Sequence, residues 1–175
     1  GGTTAAYLIG TDAGRVVVNT GMGFEAAHHK KVFDAVHPGP TPYIVTTQAH
    51  VDHVGGVGLF REPDTRYVAQ ATNPSCQADD LRIQRFRFST AMIWFGQLPE
   101  IIGRLADENP GAPMDQDRPT PDILFEDRIE LAVQFTQGLS TSVRDAAKRC
   151  APLTSTIGKP LACRRARTAT MTSSY

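Results

Sequence analysis

Four short stretches rich in β-branched and aromatic residues punctuate the first 70 positions: residues 5–10 (AAYLIG), 15–19 (RVVVN), 42–46 (PYIVT) and 66–69 (RYVA). Runs of this length and composition predict strands, and those with the most Val, Ile and Tyr predict buried ones. The first two are joined by Thr11-Asp12-Ala13-Gly14, whose Asp and Gly are turn formers, and predict a hairpin. A glycine loop, Thr20-Gly21-Met22-Gly23-Phe24, then leads into a helical pattern from about residue 25 to residue 36, stopped by His37-Pro38-Gly39-Pro40.

Farther along, residues 57–60 (VGLF) predict a short helix, and Asn73-Pro74 marks a helix start, because the missing N–H of proline costs little in a first turn. Between residues 76 and 104 apolar side chains crowd together, among them Leu81, Phe86, Phe88, Trp94, Phe95 and Ile101. This predicts an aromatic-rich helical segment broken or bent at Pro99, serving as core or as a wall over a groove. Residues 107–121, rich in Asp, Pro and Gly, predict a loop. Residues 122–131 predict a second hairpin with Glu126-Asp127 at its turn.

Composition changes this picture in one place. The 175 residues suffice for one sizeable core, and 41% hydrophobic with 21% charged residues is ordinary for a globular domain. The formal charge of +0 gives the chain as a whole no attraction for polyanions. That balance conceals a break near residue 133: residues 134–175 hold seven Lys or Arg against one Asp, which leaves 11 basic and 17 acidic residues before them. With 12 Ser or Thr among its 42 positions, the tail is too poor in apolar surface to order itself. The predicted organisation is a domain over residues 1–133 and a basic, poorly ordered tail over residues 134–175. Seven scattered cations without interleaved aromatics argue against nucleic acid as a partner. Cys76, Cys150 and Cys163 are an odd set without C-x-x-C spacing, which excludes a disulfide framework or a thiolate zinc knuckle and points to a reducing, cytoplasmic setting. No apolar run approaches a membrane span, so no membrane partner is expected.

Candidate chemistry concentrates in residues 46–56 (TTQAHVDHVGG), directly after the third predicted strand. Strand ends are where α/β sheets place their reactive groups. In an extended segment residues two apart share a face, so Gln48, His50 and Asp52 point one way while His53 reaches round to another. Imidazole and carboxylate together suit zinc, iron or manganese, and an open coordination position leaves room for an activated water. The bland alternative is a solvated polar loop. Three ligand-type side chains within four residues, between a buried strand and Gly55-Gly56, outweigh it. The other histidines fit structural roles: His28 and His29 are neighbours on a helix and point about 100° apart, and His37 sits at a helix end where it faces terminal carbonyls. His53 is the last histidine of the chain.

The segment from Thr46 to Gly56 resembles the metallo-β-lactamase superfamily, whose signature is His-x-His-x-Asp-His followed by Gly-Gly at the end of a strand. Gln48 stands in the place of the first histidine, and Asn19-Thr20-Gly21 in the place of an Asp-x-Gly. The resemblance covers residues 3–133 and implies the N-terminal half of an αββα sandwich, a mixed sheet with helices that is incomplete at the C-terminus. It also implies a metal-dependent, zinc-type hydrolase acting on a small-molecule substrate. His50 would serve one metal, and Asp52 and His53 a second, with Asp52 as the catalytic group that orients the water. Gln48 would be a weak ligand or a hydrogen bonder. The family uses one or two zinc ions, and with no histidine after His53 at most one weak site is expected. The alternative is a truncated or degenerate domain that is not an enzyme. A sheet face left bare by half a sandwich makes a homodimer one expected outcome.

Overall fold

The computed structural model describes residues 3–133, with Ala132 and Val133 as backbone, and the backbone of one strand near the C-terminus, Arg167–Thr172. Strands β1 (Tyr7–Thr11) and β2 (Gly14–Val18) pair antiparallel from Tyr7↔Val18 to Thr11↔Gly14, with Asp12 and Ala13 at the turn, so the predicted hairpin is present. Gly14 has φ +119°, and a Cβ there would press on the Pro40 carbonyl; only glycine fits. Helix α1 (Gly23–Val36) starts two residues before the predicted position. Side chains make that earlier start favourable: Glu25 accepts a hydrogen bond from Met22 N at 3.0 Å, and Gln116 Oε1 accepts one from Gly23 N at 3.1 Å. These acceptors satisfy N–H groups that a helix start leaves open.

Strand β3 (Tyr43–Val45) leads into the short helices α2 (Val51–Val54) and α3 (Val57–Phe60), then β4 (Arg66–Gln70). Helices α4 (Asn73–Arg82), α5 (Gln84–Trp94) and α6 (Leu98–Glu108) precede β5 (Ile123–Phe125) and β6 (Arg128–Val133). Strands β2, β3, β4 and β5 run parallel, with Val17, Ile44 and Tyr67 aligned across the centre, so the sheet is mixed with the order β1-β2-β3-β4-β5.

Alternation along the central strands separates two faces. Val17, Ile44, Tyr67 and Ala69 point to one side and pack with Ala26 of α1 and with Val57 and Phe60 of α3. Val16, Val18, Val45 and Val68 point to the other and meet Leu131 of β6, with Ile129 beside it. Burial on both faces is why residues 16–18 read as an unbroken apolar run rather than an alternating one. The layers are therefore helix, mixed sheet, and a second strand layer begun by β6, which pairs antiparallel with β7 (Arg167–Thr172) from Arg128↔Thr172 to Val133↔Arg167.

Two sequence expectations are corrected. Residues 122–131 do not form a hairpin: β5 joins the large sheet parallel to β4, and β6 crosses to the opposite layer. The Glu126-Asp127 turn connects layers, and beyond it Ile129 and Leu131 pack against the valine face of the sheet. The aromatic segment is three helices: it breaks before Pro99, which stands at the start of α6 where its ring is tolerated, and again at Ile83, a break the sequence did not signal. Its middle helix, α5, contributes no buried residue, and Phe86, Phe88, Ile93 and Trp94 are each at least two-thirds exposed. Of the tail over residues 134–175, the part other than β7 lies outside the described residues. Among the described residues no helix is long and apolar enough to cross a membrane.

Candidate functional site

The loop that follows β3 is shaped by its neighbours at the carboxyl ends of the parallel strands. Thr46 is the last residue held by the sheet: its N–H donates to Val68 O at 3.2 Å, and its hydroxyl lies 2.9 Å from the Tyr67 hydroxyl. Burial pushes the Tyr67 pKa up, only partly opposed by the hydrogen bond with Thr46, so the phenol stays neutral. Asn19, just past β2, takes the left-handed φ of +59° that Asn tolerates better than most residues. Its backbone N–H donates to Val45 O at 2.8 Å, and its Oδ1 accepts from both Thr47 N at 2.9 Å and Thr47 Oγ1 at 3.1 Å.

Thr20, wholly buried, fixes the far side of the loop. Its N–H and its hydroxyl both donate to His53 O, at 2.9 and 3.0 Å, and the same hydroxyl oxygen accepts from Gly56 N at 3.1 Å. Gly56 approaches α1 so closely that a Cβ would lie 2.3 Å from Ala26 Cβ. From the distant loop, Gln116 Nε2 donates to Val51 O at 2.8 Å, and Asp117 Oδ2 accepts from Gly58 N at 2.6 Å. The result is a turn, α2, whose backbone is tied to Thr20, between β2 and α1, and to Gln116 and Asp117.

On this turn His53 is buried, 8% exposed, with its ring surrounded by polar groups. Its Nε2 lies 2.7 Å from the Gln48 amide nitrogen, 3.3 Å from Thr4 Oγ1 and 3.5 Å from Asp52 Oδ2; its Nδ1 lies 3.5 Å from Thr47 Oγ1. Burial lowers the His53 pKa, and the Asp52 carboxylate opposes this without reversing it, while His50 adds to the lowering. The ring is therefore neutral near pH 7, the state in which an imidazole can be a ligand. His50 is the residue before α2, and it is exposed.

The fold thus brings Gln48, Asp52 and His53 together and leaves His50 on the solvent side. Among the described residues no three His, Cys, Asp or Glu side chains converge to hold an ion. A catalytic zinc site uses three protein ligands and one open position. The donor chemistry present, a neutral imidazole beside a carboxylate, suits such an ion; the donor number does not, so the residues as placed do not fit a complete zinc site.

Several other titratable groups have structural partners. His29 Nδ1 lies 3.2 Å from Thr20 O, His37 Nε2 lies 3.1 Å from Gly14 O, and His28 faces Glu108 at 3.8 Å. Asp122 joins Arg61 and Tyr67 N, and Asp80 pairs with Arg87. Sequence reasoning missed Thr4, Thr20, Thr47 and Gln116. The signal for the first three is faint, a threonine beside each candidate strand end; Gln116, 65 positions from the Val51 carbonyl it holds, gives none.

The described part of the chain is a mixed sheet with helices on one face and a His/Asp turn at the carboxyl end of a central parallel strand. The family model of the metallo-beta-lactamase superfamily matches residues 1–65 of this chain. Solved structures similar to it include the class B3 di-zinc metallo-beta-lactamase LRA-12 from an Alaskan soil metagenome, with 22% identity, a TM-score of 0.45, and coverage of 74% of this chain and 42% of that one. Another is the native FEZ-1 metallo-beta-lactamase from Legionella gormanii, with 18% identity, a TM-score of 0.43, and coverage of 74% and 44%. A HARLDQ-motif mutant of a metallo-beta-lactamase from Cronobacter sakazakii shows 16% identity, a TM-score of 0.44, and coverage of 72% and 42%. The chain spans well under half the length of these proteins. No curated protein matches it.

Proposed function

We propose that this chain is, by descent, a metal-dependent hydrolase of zinc type acting on a small-molecule ester, thioester, amide or sulfate, with its water-activating site reduced to at most one ion. His50, Asp52 and His53 are its ancestral ligands, Asp52 its catalytic carboxylate, and Gln48 the neighbour that replaced a histidine. The observation that carries the reading is the Asp52 carboxylate 3.5 Å from the buried, neutral ring of His53, on a turn held by three hydrogen bonds to Thr20, between β2 and α1. A carboxylate with free lone pairs beside a neutral imidazole can orient a water and accept its proton. The reading includes a reducing, cytoplasmic setting, in keeping with the exposed thiol of Cys76, and a homodimer as one way to cover the aromatic side chains of α5.

A second reading, a non-catalytic domain with a vestigial site, is favoured by the Gln48 amide at hydrogen-bond distance from His53 Nε2. Hydrolysis of ester, thioester and β-lactam probes, compared with free zinc in the same buffer, separates the two. We expect no turnover above the free-zinc control, the outcome of a site short of ligands. Turnover clearly above it, lost with chelator and restored by zinc, would make the chain an active hydrolase and overturn the vestigial reading.

A further inference from the structure

We propose that α5 is the contact between two copies of this chain, one face of the helix packing antiparallel on the same face of a second molecule. Phe86, Thr90, Ile93 and Trp94 recur at i, i+4, i+7 and i+8, the spacing of a helix stripe that faces a core. Among the described residues nothing covers this stripe: Phe86 is 70%, Ile93 77% and Trp94 78% exposed. Thr90, its polar member, has its hydroxyl 3.0 Å from the carbonyl oxygens of both Phe86 and Arg87. The proton is used within the helix, so burying that hydroxyl costs little. The exposed parts of Phe86, Ile93 and Trp94 amount to roughly 400–500 Å² of apolar surface. A standard interface takes about 800 Å² from each partner, about 60% of it apolar. The stripe therefore matches the apolar part of one such half-interface.

Charge selects a second copy as the occupant, and sets its direction. Helix α5 has no acidic residue; its cations, Arg85 and Arg87, stand in the first turn, and residues 88–95 are uncharged. An antiparallel pair crossing at Thr90 sets Phe86 of one copy beside Ile93 of the other, and Arg87 of one beside Trp94 of the other. Each guanidinium then lies against an indole, the ring that attracts a cation best. Arg87 also meets Asp80 at 3.2 Å, which anchors its side chain while leaving it partly exposed. A parallel pair would instead set Arg85 beside Arg85 and Arg87 beside Arg87, where like charges repel, and would align the two helix dipoles. The inference gives the proposed homodimer its surface and its register, and it is independent of the chemistry at the loop after β3.

Trp94 is the single tryptophan of the chain, so its fluorescence reports on this face alone. The full chain is followed through one dilution series by sedimentation and by the emission and acrylamide quenching of Trp94. The expected result is a dimer with a shielded Trp94 at high concentration and a monomer with a solvated Trp94 at low concentration, the two transitions coinciding. Phe86→Ala and Ile93→Ala should each raise the dimer dissociation constant about tenfold or more, as the loss of a buried anchor does. Because α5 buries no residue, both variants should keep the circular dichroism and melting of the parent monomer. Phe88→Ala, on the opposite side of the helix, should leave the dissociation constant unchanged. A dimer whose Trp94 stays solvated, or a Phe88→Ala chain that dissociates as readily as Phe86→Ala, would put the interface elsewhere and overturn the proposal. A monomer at every concentration overturns it too: a Trp94 shielded in that monomer is covered by its own chain, and one shielded only on adding phosphatidylglycerol vesicles is covered by lipid. None of these outcomes depends on metal or turnover, so the hydrolase reading stands or fails by its own assay.

Discussion

His53 shows how much a single residue owes to its surroundings. Its identity as a ligand-type side chain is plain in the sequence, and its neutrality comes from burial. Replacing both His50 and His53 with Ala is expected to abolish whatever zinc the parent retains after dialysis, measured as metal per chain; full retention would move the site elsewhere. A second residue-scale feature was not visible at all. Arg15 is 1% exposed, yet its guanidinium reaches Asp34 at 2.6 Å, Thr41 Oγ1 at 3.1 Å and His37 O at 3.3 Å. Burial works against the charge on Asp34, but the hydrogen bonds from Arg15 and Lys30 outweigh it and lower its pKa below the usual 3.8. The unfolded chain then binds more protons below that value. This contribution to stability is present above about pH 4 and lost as pH falls through the lower folded pKa. Asp34→Asn should cost about 1–2 kcal/mol, discounted for the half-exposed carboxylate, and should flatten the acid limb of the stability curve. Chemical denaturation of parent and variant between pH 2 and pH 7 measures both effects.

At the scale of elements, the loop after β3 is positioned by close contact of Gly56 with α1 and with Thr20. Gly56→Ala would place a methyl 2.3 Å from Ala26 Cβ, and the overpacking should cost about 1–3 kcal/mol. Thr20→Val keeps the volume and removes the hydroxyl, leaving Gly56 N without its acceptor and the His53 carbonyl with one donor instead of two; about 1–3 kcal/mol is again expected. Midpoints of urea unfolding read both, and a change below about 0.5 kcal/mol in either variant would show that the loop is not held as described. The hairpin, α1, β3, α3, β4 and the start of α4 were all legible from the sequence, because each is marked within its own segment by a β-branched run, a turn or a helix-start signal. The pairing of β5 and β6 was not. Their short apolar runs read the same whether they pair with each other or lie in different layers.

For the whole molecule, the second layer rests on β6 and its partner β7, which comes from a segment that composition alone assigned to a disordered tail. Deleting residues 134–175 removes six paired positions and leaves the β6 edge open. The melting temperature should fall by about 5 °C or more, given a few kcal/mol of lost pairing in a chain of this size. An unchanged midpoint, read by differential scanning calorimetry, would show that β7 contributes nothing to the fold. Such an open edge should also favour self-association, visible as concentration-dependent mass in sedimentation.

The sequence by itself determined the strand cores, the helix that packs on them and the ligand-type residues of the turn, because these follow from period, turn chemistry and the spacing of side chains along one segment. Only the tertiary structure decided that Gln48 and Asp52 both lie against the buried His53 ring while His50 is exposed, and that Thr20 holds the turn through the His53 carbonyl and Gly56 N. The hold by Thr20 depends on groups tens of residues apart meeting within about 3 Å, which the spacing of side chains along one segment does not encode.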